Sequence, residues 1–197
     1  ALPPLAFESV LGVDTSEPQL SHAVPESAAV KFQRVDAHRL PVACHSVDLL
    51  TVAQGLHWLD FDRFMLEARR VLRQNTSVLA VAGYAHPEFP DHPAMHEAFN
   101  KYYLHTLRSH RDDSLWDIDR RRVDSAFDGE EFEAHFKDVE RVWFRTPVPN
   151  ATARSVLDFL ETQSVYQKFK PAADAGAMRD PLDTIAAALG IAGRAFA

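Results

Sequence analysis

The sequence contains little cysteine and little glycine, and both shortages restrict what the protein can be. Its 197 residues include a single cysteine, Cys44, so an internal disulfide is excluded and a reducing compartment is expected. Only seven residues are glycine, and no two of them are placed to form a loop that cradles a phosphate. We therefore expect a cytoplasmic protein without a structural disulfide.

Long apolar runs, excess positive charge and an N-terminal signal segment are also missing. No run approaches the roughly 20 apolar residues that a membrane-spanning helix needs. The formal net charge of -7 disfavours nucleic acid as a partner. The chain begins with alanine, so its first residue need not be the natural start. With 46% hydrophobic residues it can bury one sizeable core, and we expect a single domain over residues 1–197.

Residues 47–84 carry the clearest pattern in the chain. An apolar run over 48–53 is followed by an amphipathic helix, which Asp60 can cap, and by a second apolar run over 77–83. Apolar runs without alternation are typical of parallel strands that are covered on both faces. The pattern predicts a strand–helix–strand unit, and its strand-to-helix turn lies where open α/β sheets bind ligands.

The rest of the chain extends this α/β pattern on both sides. Strands are expected over 9–13 and 30–35, separated by a short helix that Ser16 can cap. After residue 84 the patterns predict four helices, over 93–110, 127–136, 151–169 and 181–189, and a strand over 139–146. Such alternation of strands and helices indicates an α/β fold with a mostly parallel sheet.

Three polar residues follow predicted strands at the point where each strand ends: Asp14, Asp36 and Gln54. Because the carboxyl ends of parallel strands meet at one edge of the sheet, these side chains should surround one crevice. A carboxylate there can accept hydrogen bonds from both hydroxyls of a ribose, and one on the next strand can accept from an adenine amine. Acidic residues at strand ends also begin loops or cap helices, and both interpretations stay open.

Two segments carry a resemblance to a known family, GVDTSEPQLSHA at 12–23 and VDAHRLPVACHSVDLLTVAQGLHWLDFDRFMLEARRVL at 35–72. They closely resemble the class I S-adenosylmethionine-dependent methyltransferases, and within them the type 11 group that includes trans-aconitate-type enzymes. The resemblance is strong over 1–85 and weaker over 86–170, with a cap-like insertion at 86–136. It implies a mostly parallel, Rossmann-like methyltransferase sheet. It also implies S-adenosylmethionine as cofactor and SN2 methyl transfer to a small molecule, such as a carboxylate.

The resemblance also implies roles for individual residues. Six would bind the cofactor, namely Asp14 and Ser16 at the ribose, Asp36 and Ala37 at the adenine, and Gln54 and Gly55 at the methionine side. The substrate pocket would include Trp58, Tyr84, Tyr102 and Trp116. His57 is the nearest candidate base for a poor nucleophile, although His57 and Trp58 can instead simply pack the turn. No metal site is expected, since Cys44 and His45 have no further metal-type partner nearby.

Part of the family's pattern is absent from this chain. In the family, the methionine end of the cofactor contacts a Gly-rich loop that follows the first strand of the sheet. Residue 1 of this chain is expected to lie already in the helix that follows that loop. That strand would lie between the strands ending at Asp14 and Gln54, so its loss would leave backbone groups unpaired inside the sheet. The final strand of the family's sheet is expected to be missing as well.

Two explanations of this incompleteness compete. The first is that the chain is a fragment of a longer methyltransferase, and the second is that it is a truncated relative that no longer binds the cofactor. In both cases the chain as given is expected to bind S-adenosylmethionine weakly or not at all. The alternative function is that of a non-catalytic, methyltransferase-like binding or assembly protein, which could self-associate through exposed sheet edges.

Overall fold

The computed structural model describes residues 7–25, 27–84, 87–101, 127, 131–176, 180 and 182–190. In chain order its strands are β1 (Val10–Asp14), β2 (Val30–Arg34), β3 (Leu49–Ala53) and β4 (Val78–Ala82). Its α-helices are α1 (Glu17–Leu20), α2 (Phe61–Val71), α3 (Pro93–Lys101), α4 (Ala153–Glu161), α5 (Ser164–Asp174) and α6 (Leu182–Ala188). A single 3₁₀ turn at Leu56–Trp58 precedes α2.

The chain divides into two compact units. The first comprises Ala1–Tyr84 with Arg121–Val139 and contains all four strands, and the second comprises Ala85–Arg120 with Glu140–Ala197. The division into units does not test the predicted single domain over 1–197 with a cap-like insertion over 86–136, which stays a prediction.

The strands of the first unit pair in parallel. β1 pairs with β2 so that Asp14 lies opposite Arg34, and β3 pairs with β4 so that Ala53 lies opposite Ala82. Within the part of the chain that the structure describes, no backbone pairing joins one two-stranded sheet to the other. Parallel strands connected through helix α2 confirm the predicted α/β class.

Helix α2 supplies most of the core of the first unit because one of its faces is apolar. Asp60 caps the helix, and its carboxylate accepts a hydrogen bond from the backbone N–H of Arg63 at 3.1 Å, as predicted. The residues predicted to face inward are all buried: Phe61, Phe64, Met65, Ala68, Val71 and Leu72. Val13 of β1, Leu50 of β3 and Val81 of β4 pack against the same cluster. The helix therefore buries its apolar face against both strand pairs.

An ion pair on α2, in which the carboxylate is buried and the guanidinium is half-buried, holds the loop that follows β2. The carboxylate of Glu67 accepts hydrogen bonds from the guanidinium of Arg70 at 2.7 Å and from the backbone N–H of Leu40 at 2.6 Å. Arg70 also donates to the carbonyl oxygens of Leu40 (2.9 Å) and Val42 (3.0 Å). The bonds to Arg70 hold the pKa of Glu67 below its usual value. Hydrophobic periodicity places Glu67 off the buried face, yet only 8% of it is exposed because the loop backbone needs an acceptor there.

The second unit is helical and has its own core. Its largest buried side chains are Met95, Phe99, Leu157, Leu160, Tyr166, Leu182 and Ile185. The predicted helix over 93–110 is observed as α3 up to Lys101, beyond which it lies outside the described residues. One long helix over 151–169 is wrong, because α4 ends at Glu161 and α5 begins at Ser164. The hydroxyl of Thr162 donates to the carbonyl of Phe159 at 2.7 Å, a local bond that competes with continued helix.

Two further predictions after residue 120 differ from the structure. Residues 138–148 form neither helix nor strand, although their alternation predicts a strand over 139–146. A strand requires a hydrogen-bonding neighbour, and none of the described strands pairs with this segment. Of the helix predicted over 127–136, residues 128–130 lie outside the described residues. Residues 131–135 form a turn, after which the N–H of Phe136 donates to the carbonyl of Phe132 at 2.9 Å. None of the described helices is long and apolar enough to cross a bilayer.

We expect Glu67→Gln to lower the free energy of unfolding by about 1–3 kcal/mol, because a neutral amide accepts weaker hydrogen bonds from the half-buried guanidinium of Arg70 and from the buried backbone N–H of Leu40. Denaturant unfolding followed by circular dichroism measures the loss. The matched control is Asp158→Asn, which removes an exposed ion pair with Arg154 and should cost less than about 0.5 kcal/mol. Equal losses of unfolding free energy in the two variants would show that the Glu67–Arg70 pair stabilises the protein no more than an exposed ion pair does.

The contribution of Glu67 should also depend on pH in a defined direction. Its pKa in the folded protein lies below the usual value of 4.5, so its stabilisation is fully present above pH 4.5. That stabilisation is lost as the pH falls through the folded-state pKa. The difference in unfolding free energy between wild type and Glu67→Gln should therefore be constant from about pH 8 to pH 5 and shrink at lower pH. A difference that grows on acidification would contradict this assignment.

Candidate functional site

Asp14 and Asp36 lie at the carboxyl end of the same strand pair. Asp14 is the last residue of β1, and its backbone carbonyl accepts a hydrogen bond from the N–H of Val35 at 3.0 Å. Asp36 follows Val35 directly in the chain. Both aspartates are exposed. The structure thus brings two carboxylates to one sheet edge, as parallel topology requires.

The carboxylate of Asp14 already has one local partner. Its Oδ1 accepts the backbone N–H of Ser16 at 2.8 Å, and the hydroxyl of Ser16 accepts the N–H of Gln19 at 3.4 Å at the start of α1. These bonds match the capping interpretation of both residues. A carboxylate has two oxygens and about four lone-pair positions, so the bond to Ser16 leaves capacity for a ligand hydroxyl.

Asp36 is held by a histidine that the sequence analysis did not single out. Its Oδ1 accepts the backbone N–H of His38 at 2.9 Å and contacts ring Nδ1 of His38 at 2.6 Å. The backbone bond and then the ring bond from His38 hold the pKa of Asp36 below its usual range. Ring Nε2 of His38 accepts the backbone N–H of Asp60 at 3.1 Å. Through His38, the loop after β2 is therefore joined to the turn that leads from β3 into α2.

Gln54 follows β3 in a strained backbone conformation. Its φ is 50°, in the left-handed region that non-glycine residues rarely adopt and that recurs at functional sites. Its backbone N–H donates to the carbonyl of Ala82 at 2.9 Å, and its side-chain amide donates to the carbonyl of Tyr84 at 3.4 Å. Gln54 therefore lies at the carboxyl end of the second strand pair, where the sequence predicts a ligand contact.

Phe127 is a second residue at this edge that sequence reasoning missed. A Cβ atom on Gly83 would lie 3.0 Å from the Phe127 ring and 3.9 Å from Nε2 of Gln54. A larger residue at position 83 would therefore require the Phe127 ring to shift by a few tenths of an ångström. The one signal in the sequence is Gly83 itself, the glycine that ends the second apolar run.

The turn after Gln54 presents a tryptophan and buries a histidine. Gly55 precedes the 3₁₀ turn, in which His57 is 8% exposed and Trp58 is 51% exposed. The two rings are tilted with their centroids 5.8 Å apart. Burial supports the packing interpretation of His57, and its catalytic role stays a prediction.

The predicted substrate pocket is described only in part. Tyr84, which follows β4, is 60% exposed and lies beside Gln54, whereas Tyr102 and Trp116 lie outside the described residues. Ala37 is half-buried against the cluster that contains α2. In the described ranges, no group of three or more His, Cys, Asp or Glu side chains could hold a metal ion.

Comparisons with known proteins show that the chain is similar to methyltransferases. Residues 1–80 match a family model described as "Methyltransferase domain". A protein of Dictyostelium discoideum, described as a "putative methyltransferase", is 23% identical over 91% of this chain and 65% of its own length. A Saccharomyces cerevisiae protein, described as a "probable S-adenosylmethionine-dependent methyltransferase", is 26% identical over 74% of this chain and 53% of its own length.

A solved structure gives the same fold. It is described as a "putative type II methyltransferase" from Anaeromyxobacter dehalogenans and matches with a TM-score of 0.63 and 25% identity, over 93% of this chain and 71% of that chain. The chain is thus similar to several methyltransferases, one of which is described as S-adenosylmethionine-dependent. The Rossmann-like α/β fold expected from the sequence is confirmed. The chain spans less than two thirds of the length of the two curated relatives.

The backbone strain at Gln54 can be measured as the gain in unfolding free energy when glycine replaces this residue. We expect Gln54→Gly to raise the free energy of unfolding by about 0.5–1 kcal/mol, because glycine adopts positive φ without a steric cost. Asn75→Gly is the matched control, since Asn75 also has a positive φ, 63°, but asparagine tolerates this conformation. Its effect on thermal or denaturant unfolding should be close to zero. A loss of stability in Gln54→Gly would remove the argument from strain.

Proposed function

We propose that the first unit forms the adenosine-binding half of an S-adenosylmethionine site, and that the whole protein transfers a methyl group to a small molecule. The observation that carries this proposal is the pair of exposed carboxylates, Asp14 and Asp36, at the carboxyl end of β1 and β2. The described relatives in yeast and Dictyostelium support the reaction class.

The chemistry of this edge fits adenosine. Adenosine presents hydrogen-bond donors at its two ribose hydroxyls and its exocyclic amine, and this edge presents ionised acceptors. Asp14 would accept from the ribose hydroxyls with Ser16 beside them. Asp36 would accept from the amine, with Ala37 along the adenine ring.

The remaining roles concern the methionine side and the acceptor. Gln54 and Gly55 would line the methionine side, and Trp58 and Tyr84 would contribute to the acceptor pocket. Tyr102 and Trp116 are proposed for the same pocket from the sequence resemblance alone. The cofactor supplies an activated sulfonium methyl when bound. The protein's part is to orient the acceptor in line with that methyl, which accounts for large rate effects without a dedicated nucleophile.

We propose a carboxylate as the acceptor group, in keeping with the resemblance to trans-aconitate-type enzymes of the type 11 group. A carboxylate needs little base assistance, which suits a strand-to-helix turn whose own histidine, His57, is buried. His57 is proposed as a base only for a poorer nucleophile.

We further propose that the 197-residue chain by itself binds S-adenosylmethionine weakly. Supporting this, the β1–β2 and β3–β4 pairs are separate sheets throughout the described residues. A strand between them, followed by a Gly-rich loop, would complete both the sheet and the methionine side of the site.

Binding measurements test the proposed site. S-adenosylhomocysteine at millimolar concentration should shift amide NMR signals near Asp14, Asp36 and Gln54, and Asp14→Asn should weaken this binding by about tenfold. Asp91→Asn, at an exposed position in the second unit, is the control and should change nothing. Shifts spread over the second unit, or no saturable shifts, would overturn the proposal. Calorimetry that shows micromolar binding of S-adenosylmethionine would overturn only the claim that this chain binds weakly.

A non-catalytic binding or assembly protein is the second candidate. The observation that favours it is the pair of short parallel sheets, together with large apolar side chains, including Val10, Leu11 and Val78, that are exposed on their strands. This function predicts self-association that follows protein concentration in sedimentation experiments and no response to S-adenosylhomocysteine. A monomer that binds the cofactor would exclude it.

A further inference from the structure

The ring of His38 contacts a carboxylate with one nitrogen and the backbone of a second segment with the other. Its side chain is 13% exposed, whereas the carboxyl group that it holds, that of Asp36, is 59% exposed. Nδ1 lies 2.6 Å from Oδ1 of Asp36, and Nε2 lies 3.1 Å from the backbone nitrogen of Asp60. A half-buried ring thus holds one oxygen of an exposed carboxylate.

The two contacts determine where the proton of the neutral imidazole resides. A backbone N–H can only donate, so Nε2 of His38 must accept from Asp60 with its lone pair. The proton of the neutral ring then resides on Nδ1, from which it donates to Asp36. This tautomer gives both nitrogens a partner and fixes the ring against rotation.

The second anchor of the ring is firm. Asp60 is the N-cap of α2, and its carboxylate is bonded to the N–H of Arg63, one turn into the helix. The first residue of that helix, Phe61, is buried in the core of the first unit. His38 therefore links the N-terminus of α2, which is anchored in the core by Phe61, to the exposed carboxylate of Asp36.

We propose that His38 is a positioning residue for adenine recognition, which fixes Oδ1 of Asp36 so that Oδ2 can accept a hydrogen bond from the exocyclic amine. The inference rests on the proposed function, because that function sets Asp36 against adenine. A fixed carboxylate favours an amine and disfavours the oxo group of a deaminated base, since an oxo group brings a second acceptor against it.

The tautomer gives a test that needs no ligand. Nitrogen-15 NMR of the histidine rings at neutral pH should show His38 protonated at Nδ1, with Nε2 at the shift of an unprotonated nitrogen. The exposed His92 serves as the reference for an unconstrained ring. A proton on Nε2 of His38 would overturn the inference and leave the proposed function standing.

Base discrimination gives the second test. NMR titrations compare S-adenosylhomocysteine with its analogue in which the amine is replaced by an oxo group. Wild type should prefer the amine at least about tenfold, the effect of one hydrogen bond to a charged group. His38→Ala should reduce the preference below about threefold. His38→Asn should keep most of it, because the asparagine amide can donate from the position of Nδ1.

The outcomes separate the two proposals. No saturable binding by wild type would overturn the proposed function, and the inference with it. Binding that keeps its tenfold preference in His38→Ala would overturn the positioning role alone. A preference lost equally in His38→Ala and His38→Asn, with both variants folded by circular dichroism, would contradict the role assigned to the Nδ1 donor.

Discussion

Helix α2 is the element on which the rest of the first unit depends. Its apolar face packs in one cluster with side chains from β1, β3 and β4, although no backbone pairing joins the two strand pairs in the described residues. Apolar burial on this helix, rather than a continuous sheet, therefore holds the two sheet edges in one unit. Its polar groups act on the loop after β2, which is bonded to Arg70 and Glu67 at one end and to Asp60, through His38, at the other.

The sequence predicts the first unit well because its signals are local. The strands begin and end within two residues of the predicted limits, since three of them stop at a polar residue and the fourth stops at Gly83. Helix α2 follows from the 3.6-residue period. The strand predicted over 139–146 is wrong because strand formation needs a partner that alternation does not reveal. The burial of Glu67 is missed for a related reason, because hydrophobic periodicity does not reveal that its carboxylate accepts a hydrogen bond from the buried N–H of Leu40.

The same distinction applies to the candidate site. Asp14, Asp36 and Gln54 could be found from the sequence because parallel topology places the carboxyl ends of paired strands side by side. His38 and Phe127 could not, since each acts through a contact with a residue distant in sequence, Asp60 in one case and Gly83 in the other. The strain at Gln54 was equally hidden, because a backbone φ of 50° has no sequence signal in a glutamine.

The most direct test of the central claim is a crystal structure of this chain grown with a saturating concentration of S-adenosylhomocysteine. The account predicts the ribose hydroxyls within hydrogen-bonding distance of Asp14 and the exocyclic amine within hydrogen-bonding distance of Asp36, with the His38 contacts to Asp36 and Asp60 retained. A ligand bound away from the carboxyl ends of β1 and β2, or an adenine whose amine faces neither oxygen of Asp36, would contradict it.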